Sequence, residues 1–318
     1  MRRNVVLVGI CLLTATAVGL LAVSRTDHEV SLESVVEIWA DVIRDMDRVG
    51  LTITRVSDER EMEIGQEIDT HRPWPLKDEP ALQAYVADVG QSVVPHVQRK
   101  GISYRFAIID SPMINDSPMI NAFALPGGGI VITTGMLNFL ESEAELAAIL
   151  GHEISHVDLR HCIERLQYEL AVRKIAGREL AMIARLQYQL VNLGFNEQQE
   201  LEADAGGVML AARAGYDPRA AITVFERLAK VKRERQAKKP REKRTLMVGE
   251  LGIALEKALE QYFATHPPTD KRVRQLESVI NRNASAWRGQ QFYVGRSNYR
   301  DRIPRSSEAR PEELVSRS

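Results

Sequence analysis

The five residues HEISH at positions 152–156 constrain this chain more than any other segment. Ser142 and Glu145 form an S-x-x-E capping box ahead of them, which predicts that a long helix begins there. Because each helical residue advances by about 100°, His152 and His156 lie about 40° apart on one face and can converge on a single metal ion. Glu153 lies about 100° round the helix, where it can approach an attacking water without becoming a ligand.

The residues around this motif are apolar and predict that it is buried. A buried His-Glu-His cluster without a partner would be costly, so the pattern indicates a zinc site rather than the exposed polar face of a helix. The apolar neighbours are Leu146, Ala147, Ile149, Leu150, Ile154 and Val157.

The motif does not contain a complete set of ligands. In the longer zinc pattern HExxHxxGxxH, the glycine and the last histidine would stand where this chain has Leu159 and Cys162. His161 follows His152 by nine residues, which places it on the opposite face of an unbroken helix. The third ligand is therefore expected from another segment, commonly a glutamate on a following helix.

The segment ELEAD at 200–204 is the leading source of that ligand. Glu200 and Asp204 are four residues apart, so one carboxylate could bind the metal while the other holds the distal N–H of a ligand histidine. Helical geometry alone leaves open which carboxylate binds the metal and which holds the histidine. Glu202 points about 160° away from Asp204 and is expected to face solvent.

Composition excludes other kinds of site. The 318 residues include 42 basic and 43 acidic side chains, so the chain as a whole offers no electrostatic case for binding nucleic acid. Cys11 and Cys162 are the two cysteines of the chain, which excludes both a disulfide framework and a thiolate metal cluster. Any metal must be held by histidine and carboxylate.

Residues 1–24 are predicted to be a signal peptide or a membrane anchor. Arg2 and Arg3 precede an uncharged, mostly apolar run at 4–23, which is long enough to cross a bilayer core of about 30 Å as a helix. Either alternative exports the rest of the chain, to the periplasm or another extracytoplasmic space. Residues 25–54 are predicted to form an N-terminal helix, with helical spacing over 31–48.

Hydrophobic periodicity over the remaining chain predicts an α+β fold that is mostly helical with a small β-sheet. The doubled DSPMIN at 110–121 is predicted to be a loop, and the Arg- and Ser-rich residues 283–318 to be a poorly packed polar tail. Helices are predicted over 57–68, 79–97, 141–193, 196–215, 218–235, 246–263 and after Asp270, and strands over 103–110 and 128–137.

Six ordered segments resemble the HtpX/BepA-like zinc metallopeptidases, a group that includes the CAAX prenyl proteases and the mitochondrial Oma-type peptidases. The resemblance covers about residues 55–280 and implies a zincin-like metallopeptidase domain over 55–282. This chain departs from polytopic members in having at most one span, and its DSPMIN segment is doubled. The segments are DEREMEIGQEI, DEPALQAYVADVGQSV, NAFALPGGGIVITTGML, ELAAILGHEISHVDLRH, ELEADAGGVMLAARAGYDP and THPPTDKRV.

The resemblance implies roles for individual residues. Glu200 becomes the third ligand of one zinc ion, and Asp204 the acid that holds a ligand histidine. Asn121, Ala122 and Phe123 stand beside the strand that binds substrate.

Two residues near the end of the domain have roles that the sequence leaves open. His266 could gate the zinc or stabilise the oxyanion, and Arg272 could stabilise the oxyanion or form a structural ion pair. The implied activity is hydrolysis of peptide bonds in unfolded or misassembled proteins of the cell envelope. The alternatives are a zinc-binding chaperone or assembly factor with weak or latent peptidase activity, and a membrane-anchored adaptor without metal.

Overall fold

The computed structural model describes residues 56–71, 75–110, 113–114, 117–172, 194–237, 266 and 270–317. The predicted N-terminal segments at 1–24 and 25–54 and the predicted helix at 246–263 lie outside the described residues. Within the described part of the chain, no helix is both long and apolar enough to cross a bilayer.

Helices dominate the described residues, and a small mixed sheet packs among them, as the sequence predicts. Helices α1 to α8 span Asp58–Thr70, Pro80–Val93, Thr134–Phe139, Glu143–Asp158, His161–Val172, Glu197–Arg213, Arg219–Ala237 and Asp270–Asn283, and a short α9 spans Arg296–Asp301. Strands β1 to β7 span Arg105–Ile109, Met113–Ile114, Ser117–Pro118, Ala122–Leu125, Gly129–Thr133, Gln291–Tyr293 and Leu314–Ser316.

The main sheet has three strands in the order β1-β5-β4. Strand β5 pairs parallel with β1 and antiparallel with β4, with Ala122 opposite Ile132. The turn between β4 and β5 depends on Gly127 and Gly128, whose φ angles are 78° and 88°. These are left-handed values that glycine adopts without strain, so the glycine run forms a turn at the entry to β5.

The segment 128–137 is shorter as a strand than the sequence predicts. Strand β5 ends at Thr133, whose hydroxyl accepts a 3.1 Å hydrogen bond from the backbone N–H of Met136 and so caps α3. Within the DSPMIN segment, predicted as a loop, β2 and β3 form a two-stranded antiparallel pair.

The predicted single helix over 141–193 is also wrong within its described part. Helix α4 ends at Asp158, and α5 begins at His161 after Arg160, whose backbone φ is 69°. A left-handed residue ends a regular helix because it breaks the i to i−4 hydrogen-bond ladder.

The interpretation of residues 283–318 as a poorly packed tail is wrong. Phe292, Tyr293 and Tyr299 are all buried, and β6 pairs with β7. The backbone of Tyr293 also accepts from the N–H of Asp217 and donates to the carbonyl of Gly215. A few well-placed aromatic side chains bury enough apolar surface to order a segment that is polar on average.

Candidate metal centre

Helix α4 carries the two histidines of the HEISH motif into the interior. Ser142 caps this helix by accepting from the backbone N–H of Glu145, as the sequence predicts. His152 and His156 are buried, and their Nε2 atoms lie 3.1 Å apart. The four-residue spacing therefore brings the two ring nitrogens together on one face of the helix.

Helix α6 delivers the acidic residues. It begins with a capping box between Asn196 and Gln199 and packs directly on α4. The Oε2 atom of Glu200 lies 3.6 Å from His152 Nε2, and its Oε1 atom lies 3.5 Å from His156 Nε2. Asp204 instead approaches the other side of the first imidazole, with Oδ1 3.0 Å from His152 Nδ1. Tertiary packing thus separates the two carboxylates that the sequence leaves equivalent.

Two glycines let α4 and α6 approach closely enough for these contacts. A Cβ atom on Gly207 would lie 2.7 Å from the backbone nitrogen of His152, and one on Gly151 would lie 2.9 Å from the carbonyl oxygen of Gly207. Both distances are shorter than real side chains allow. The small residues therefore set the helix separation that brings Glu200 to the histidines.

His266 enters the same cluster from the segment before α8. Its Nδ1 atom lies 3.0 Å from Glu200 Oε1 and 3.4 Å from His152 Nε2, and the side chain is buried. One donor atom from each of His152, His156, Glu200 and His266 can be chosen so that all lie within 4.8 Å of one another. Sequence reasoning names His266 but leaves its role open, whereas the structure places it among the candidate ligands.

The donor set has the chemistry and spacing that suit zinc. A tetrahedral zinc ion with bonds of about 2.0 Å to nitrogen and oxygen has donor–donor separations of about 3.3 Å. The nitrogen–nitrogen and nitrogen–oxygen contacts named above among these four residues are 3.0 to 3.6 Å long. Both oxygens of Glu200 take part in them. These contacts are therefore close to the donor spacing of a zinc site.

Arg272, on α8, binds both acidic residues. Its Nε and Nη2 atoms donate to Asp204, each at 2.7 Å, and its Nη1 atom lies 2.7 Å from Glu200 Oε2. Burial would raise the pKa of Glu200, but the charges of His266 and Arg272 hold that pKa well below its usual value. These contacts favour the ion-pair alternative for Arg272 over a role at the oxyanion.

Glu153 lies beside the cluster in a different electrostatic setting. Both of its carboxylate oxygens are buried and have no hydrogen-bond partner among the described residues. His266 Nε2 is 3.7 Å from Glu153 Oε1. Burial raises the pKa of Glu153, against the opposing charges of His266 and His152. A buried carboxylate without partners is costly unless another group engages it.

His161 does not face away from the site, as an unbroken helix would require. The break at Arg160 turns it back, so that His161 Nδ1 lies 3.0 Å from His156 Nδ1. Its Nε2 atom lies 3.3 Å from Glu202 Oε2, and Glu202 keeps only 40% of its side chain exposed. Sequence reasoning also missed Phe195, whose ring stacks on His156 with centroids 3.7 Å apart. No local signal marks Phe195, because its partner His156 lies 39 residues earlier in the chain.

Asn121 lies just before β4, the strand at one end of the described sheet. Its backbone N–H donates to Thr133 Oγ1 and its carbonyl accepts from the Thr133 N–H, both at 3.0 Å. Its side-chain amide is buried, yet neither the nitrogen nor the oxygen has a hydrogen-bond partner in the described structure. Ala122 and Phe123 follow in β4, which pairs with β5 on one side only in the described sheet.

A buried HExxH helix with a glutamate supplied by a following helix is the arrangement of a zinc metallopeptidase. Comparison with family models agrees with this class. The chain belongs to peptidase family M48, whose model matches residues 80–280, more than half of the chain. The family resemblance that the ordered motifs indicate is thereby confirmed. The prediction that the site suits zinc is confirmed as well.

Several characterised proteins are similar to parts of this chain. The mitochondrial metalloendopeptidase OMA1 of Arabidopsis thaliana is 29% identical over 231 residues, covering 68% of this chain and 41% of the plant protein. The corresponding protein of Schizosaccharomyces pombe is 35% identical and covers 51% of this chain and 44% of its own length. The β-barrel assembly-enhancing protease of Escherichia coli is 30% identical over 48% of this chain and 34% of its own length. This chain thus spans less than half the length of each of these relatives.

Proposed function

We propose that this protein is a zinc-dependent metalloendopeptidase of the cell envelope that hydrolyses peptide bonds in unfolded or misassembled proteins. The observation that supports this most strongly is Glu153. Its carboxylate is buried and has no hydrogen-bond partner among the described residues, and it adjoins a cluster of zinc-type donors. A carboxylate so placed is free to take a proton from a water held within that cluster.

His152, His156 and Glu200 would hold the zinc ion, and Asp204 would fix the orientation of His152 through its Nδ1 atom. When bound, zinc would polarise the scissile carbonyl and lower the pKa of water in the site. Glu153 accepts a proton as the water oxygen bonds to the carbonyl carbon. It then delivers that proton to the nitrogen as the carbon–nitrogen bond breaks.

Strand β4 and Asn121 would bind the substrate. One edge of β4 is unpaired in the described sheet, so an extended chain could add to it through backbone hydrogen bonds. Such binding uses the substrate backbone rather than particular side chains. It favours unfolded substrates because their backbone is available for these hydrogen bonds. The buried amide of Asn121 offers a further donor and acceptor for a substrate peptide group.

The envelope location rests on the N-terminal sequence. Residues 4–23 form an uncharged, mostly apolar run after Arg2 and Arg3, which is typical of an export signal or a membrane anchor. A role toward misassembled proteins is consistent with the similarity to a β-barrel assembly-enhancing protease.

A zinc-binding chaperone or assembly factor with latent peptidase activity is the second candidate function. It is favoured by His266, whose Nδ1 atom lies within 3.4 Å of both Glu200 and His152. A nitrogen in that position competes with water for the metal. The general base Glu153 would be dispensable in a protein that only binds.

Cleavage of casein by the full chain tests the proposal. We expect cleavage that stops on chelation and returns with zinc, and that falls by at least about a hundredfold in Glu153→Gln while zinc content is unchanged. Glu226→Gln, an exposed position on α7, is the matched control. Retained cleavage in Glu153→Gln would overturn the mechanism, and zinc binding without any cleavage in the wild type or in His266→Ala would favour the chaperone.

A further inference from the structure

We propose that His161 and Glu202 form a hydrogen-bonded relay that positions His156 for metal binding. The proposal rests on the proposed function, because it concerns the histidine that would hold zinc there. His161 is a positioning residue in this scheme, since its ring contacts His156 and lies outside the group of four candidate ligands.

His156 faces the donor cluster with one ring nitrogen and His161 with the other. Its Nε2 atom points into the donor cluster, 3.1 Å from His152 Nε2 and 3.5 Å from Glu200 Oε1. Its Nδ1 atom points the other way, to His161 Nδ1 at 3.0 Å. Coordination through Nε2 uses the lone pair of that nitrogen, so the proton of a neutral His156 must reside on Nδ1.

The contact between the two rings determines which nitrogen of His161 carries its proton. Two imidazole nitrogens 3.0 Å apart require one donor and one acceptor. With His156 as the donor, His161 accepts at Nδ1 and carries its own proton on Nε2. That nitrogen lies 3.3 Å from Glu202 Oε2, and Glu202 Oε1 in turn accepts a 2.7 Å hydrogen bond from Gln198. The protons of both rings are thus oriented in one direction, toward a carboxylate that reaches the surface.

The helix break between α4 and α5 brings His161 to His156. Arg160 adopts a left-handed backbone, which is unusual for a residue with a side chain. Its guanidinium donates a 3.0 Å hydrogen bond to Asp58 and another to the carbonyl of Val56. Asp58 also accepts from Arg99, which donates to the carbonyl of Val157 in the last turn of α4. Contacts with Val56 and with the first residue of α1 therefore hold the helix break that turns His161 toward the site.

Phe195 restrains the remaining freedom of His156. Its ring stacks on the imidazole at an interplanar angle of 15°, and the guanidinium of Arg165 lies 4.8 Å from the centre of the Phe195 ring. Stacking limits tilting of the imidazole, whereas the hydrogen bond from Nδ1 fixes its rotation in the ring plane. A metal-ligating histidine usually donates its second N–H to a carboxylate or carbonyl, and here a second histidine stands between ligand and carboxylate.

The test is zinc affinity of the full chain, measured by competition with a chromogenic chelator, with folding followed by circular dichroism. We expect His161→Ala to weaken zinc binding by about 10-fold or more, as loss of such a partner commonly does. His161→Gln should recover much of the affinity, because an amide can accept from His156 and donate to Glu202. His161→Leu, of similar size but without a polar atom, should not. His71→Ala, at an exposed histidine, is the matched control.

The relay also predicts an effect of Glu202 on zinc binding. Glu202→Gln should weaken zinc binding by itself, and should add little when His161 is already alanine, because Glu202 acts through His161. The cobalt-substituted protein should show altered visible absorption in His161→Ala and a spectrum closer to wild type in His161→Gln. If His161→Ala does not fold, the Glu202→Gln variant and its spectrum decide the question.

Equal zinc affinity in wild type, His161→Leu and Glu202→Gln would overturn the relay. The same would follow if the effects of His161→Ala and Glu202→Gln were additive. Failure of the wild type to bind zinc would instead overturn the proposed function, so the two failures are distinguishable.

Discussion

Arg272 donates two hydrogen bonds to Asp204, from Nε and Nη2, and each is 2.7 Å long. Its third guanidinium nitrogen, Nη1, lies 2.7 Å from Glu200, so one buried guanidinium binds both buried carboxylates of α6. Asp204 in turn reaches His152. The ion-pair network and the candidate metal centre are therefore one structure, and disturbing one should disturb the other.

Replacement of Arg272 by methionine should lower the free energy of unfolding by about 3–5 kcal/mol, because it leaves two buried carboxylates without their cation. Chemical denaturation of the metal-free protein would measure this, with Arg274→Met on the exposed face of α8 as the control. If both variants unfolded at the same denaturant concentration, the ion pairs of Arg272 would not stabilise the fold.

Replacement of Gly207 by alanine should destabilise the protein by about 1–3 kcal/mol and weaken zinc binding, because the new Cβ would lie 2.7 Å from the backbone of His152. Gly206→Ala is a close control, since its Cβ would instead meet the side-chain oxygen of Ser155 at 2.7 Å. That hydroxyl is more easily displaced than backbone. Thermal unfolding and zinc titration should therefore separate the two variants, and similar effects on both would contradict the close-approach argument.

Replacement of Asn121 by alanine should lower kcat/KM about tenfold or more while leaving stability unchanged. The expected loss corresponds to one or two hydrogen bonds to substrate, each about 1 kcal/mol. No stability loss is expected, because the amide of Asn121 makes no hydrogen bond in the described structure. Kinetics on an unfolded substrate, with Asn138→Ala as an exposed control, would measure this. A variant that lost stability but kept its kcat/KM would show that Asn121 has a structural role instead.

Replacement of His266 by alanine should raise the rate of peptide hydrolysis and lower zinc affinity. Both follow from the position of His266 Nδ1 within 3.4 Å of Glu200 and His152, where it would compete with water for a bound metal. Initial rates at saturating zinc would measure the first effect, with His71→Ala as the control. A large loss of activity at full zinc occupancy would point to the other role, stabilisation of the oxyanion.

Ionisation of Glu143 should make stability depend on pH. Burial raises the pKa of this carboxyl above its ordinary value of 4.5, although Tyr216, Tyr85 and the backbone N–H of Arg305 donate to it. The pKa of Glu143 is higher in the folded state than in the unfolded state. The stability that protonated Glu143 contributes is therefore complete below pH 4.5 and is lost as the pH rises through the folded-state pKa.

The difference in unfolding free energy between wild type and Glu143→Gln should therefore fall as the pH is raised from about 4 to about 8. Metal-free protein is needed for this measurement, since protonation of histidine ligands releases metal at low pH. A difference in unfolding free energy that stayed constant with pH would show that burial does not shift the pKa of Glu143.

The HEISH pattern by itself determined the core of the candidate site. His152 and His156 share a face because helical geometry is local, and the capping residue Ser142 and the apolar flanks are read directly from the chain. The same local rules predict α1, α2 and the strand region correctly in kind. Their ends are less well predicted, as at Thr133, where a side chain caps a new helix in place of the last strand residues.

Only the tertiary structure decided how the remaining residues act. It gave Glu200 and Asp204 different partners through the packing of α6 on α4, and it placed Arg272 against both. It turned His161 into the site through the left-handed backbone of Arg160, whose side chain is held by Asp58 at the start of α1 and by Val56 just before it. Such contacts join residues far apart in the chain, and local propensity carries no information about them. Burial of the C-terminal aromatics has the same origin, because a segment's average polarity does not reveal which few side chains find a core.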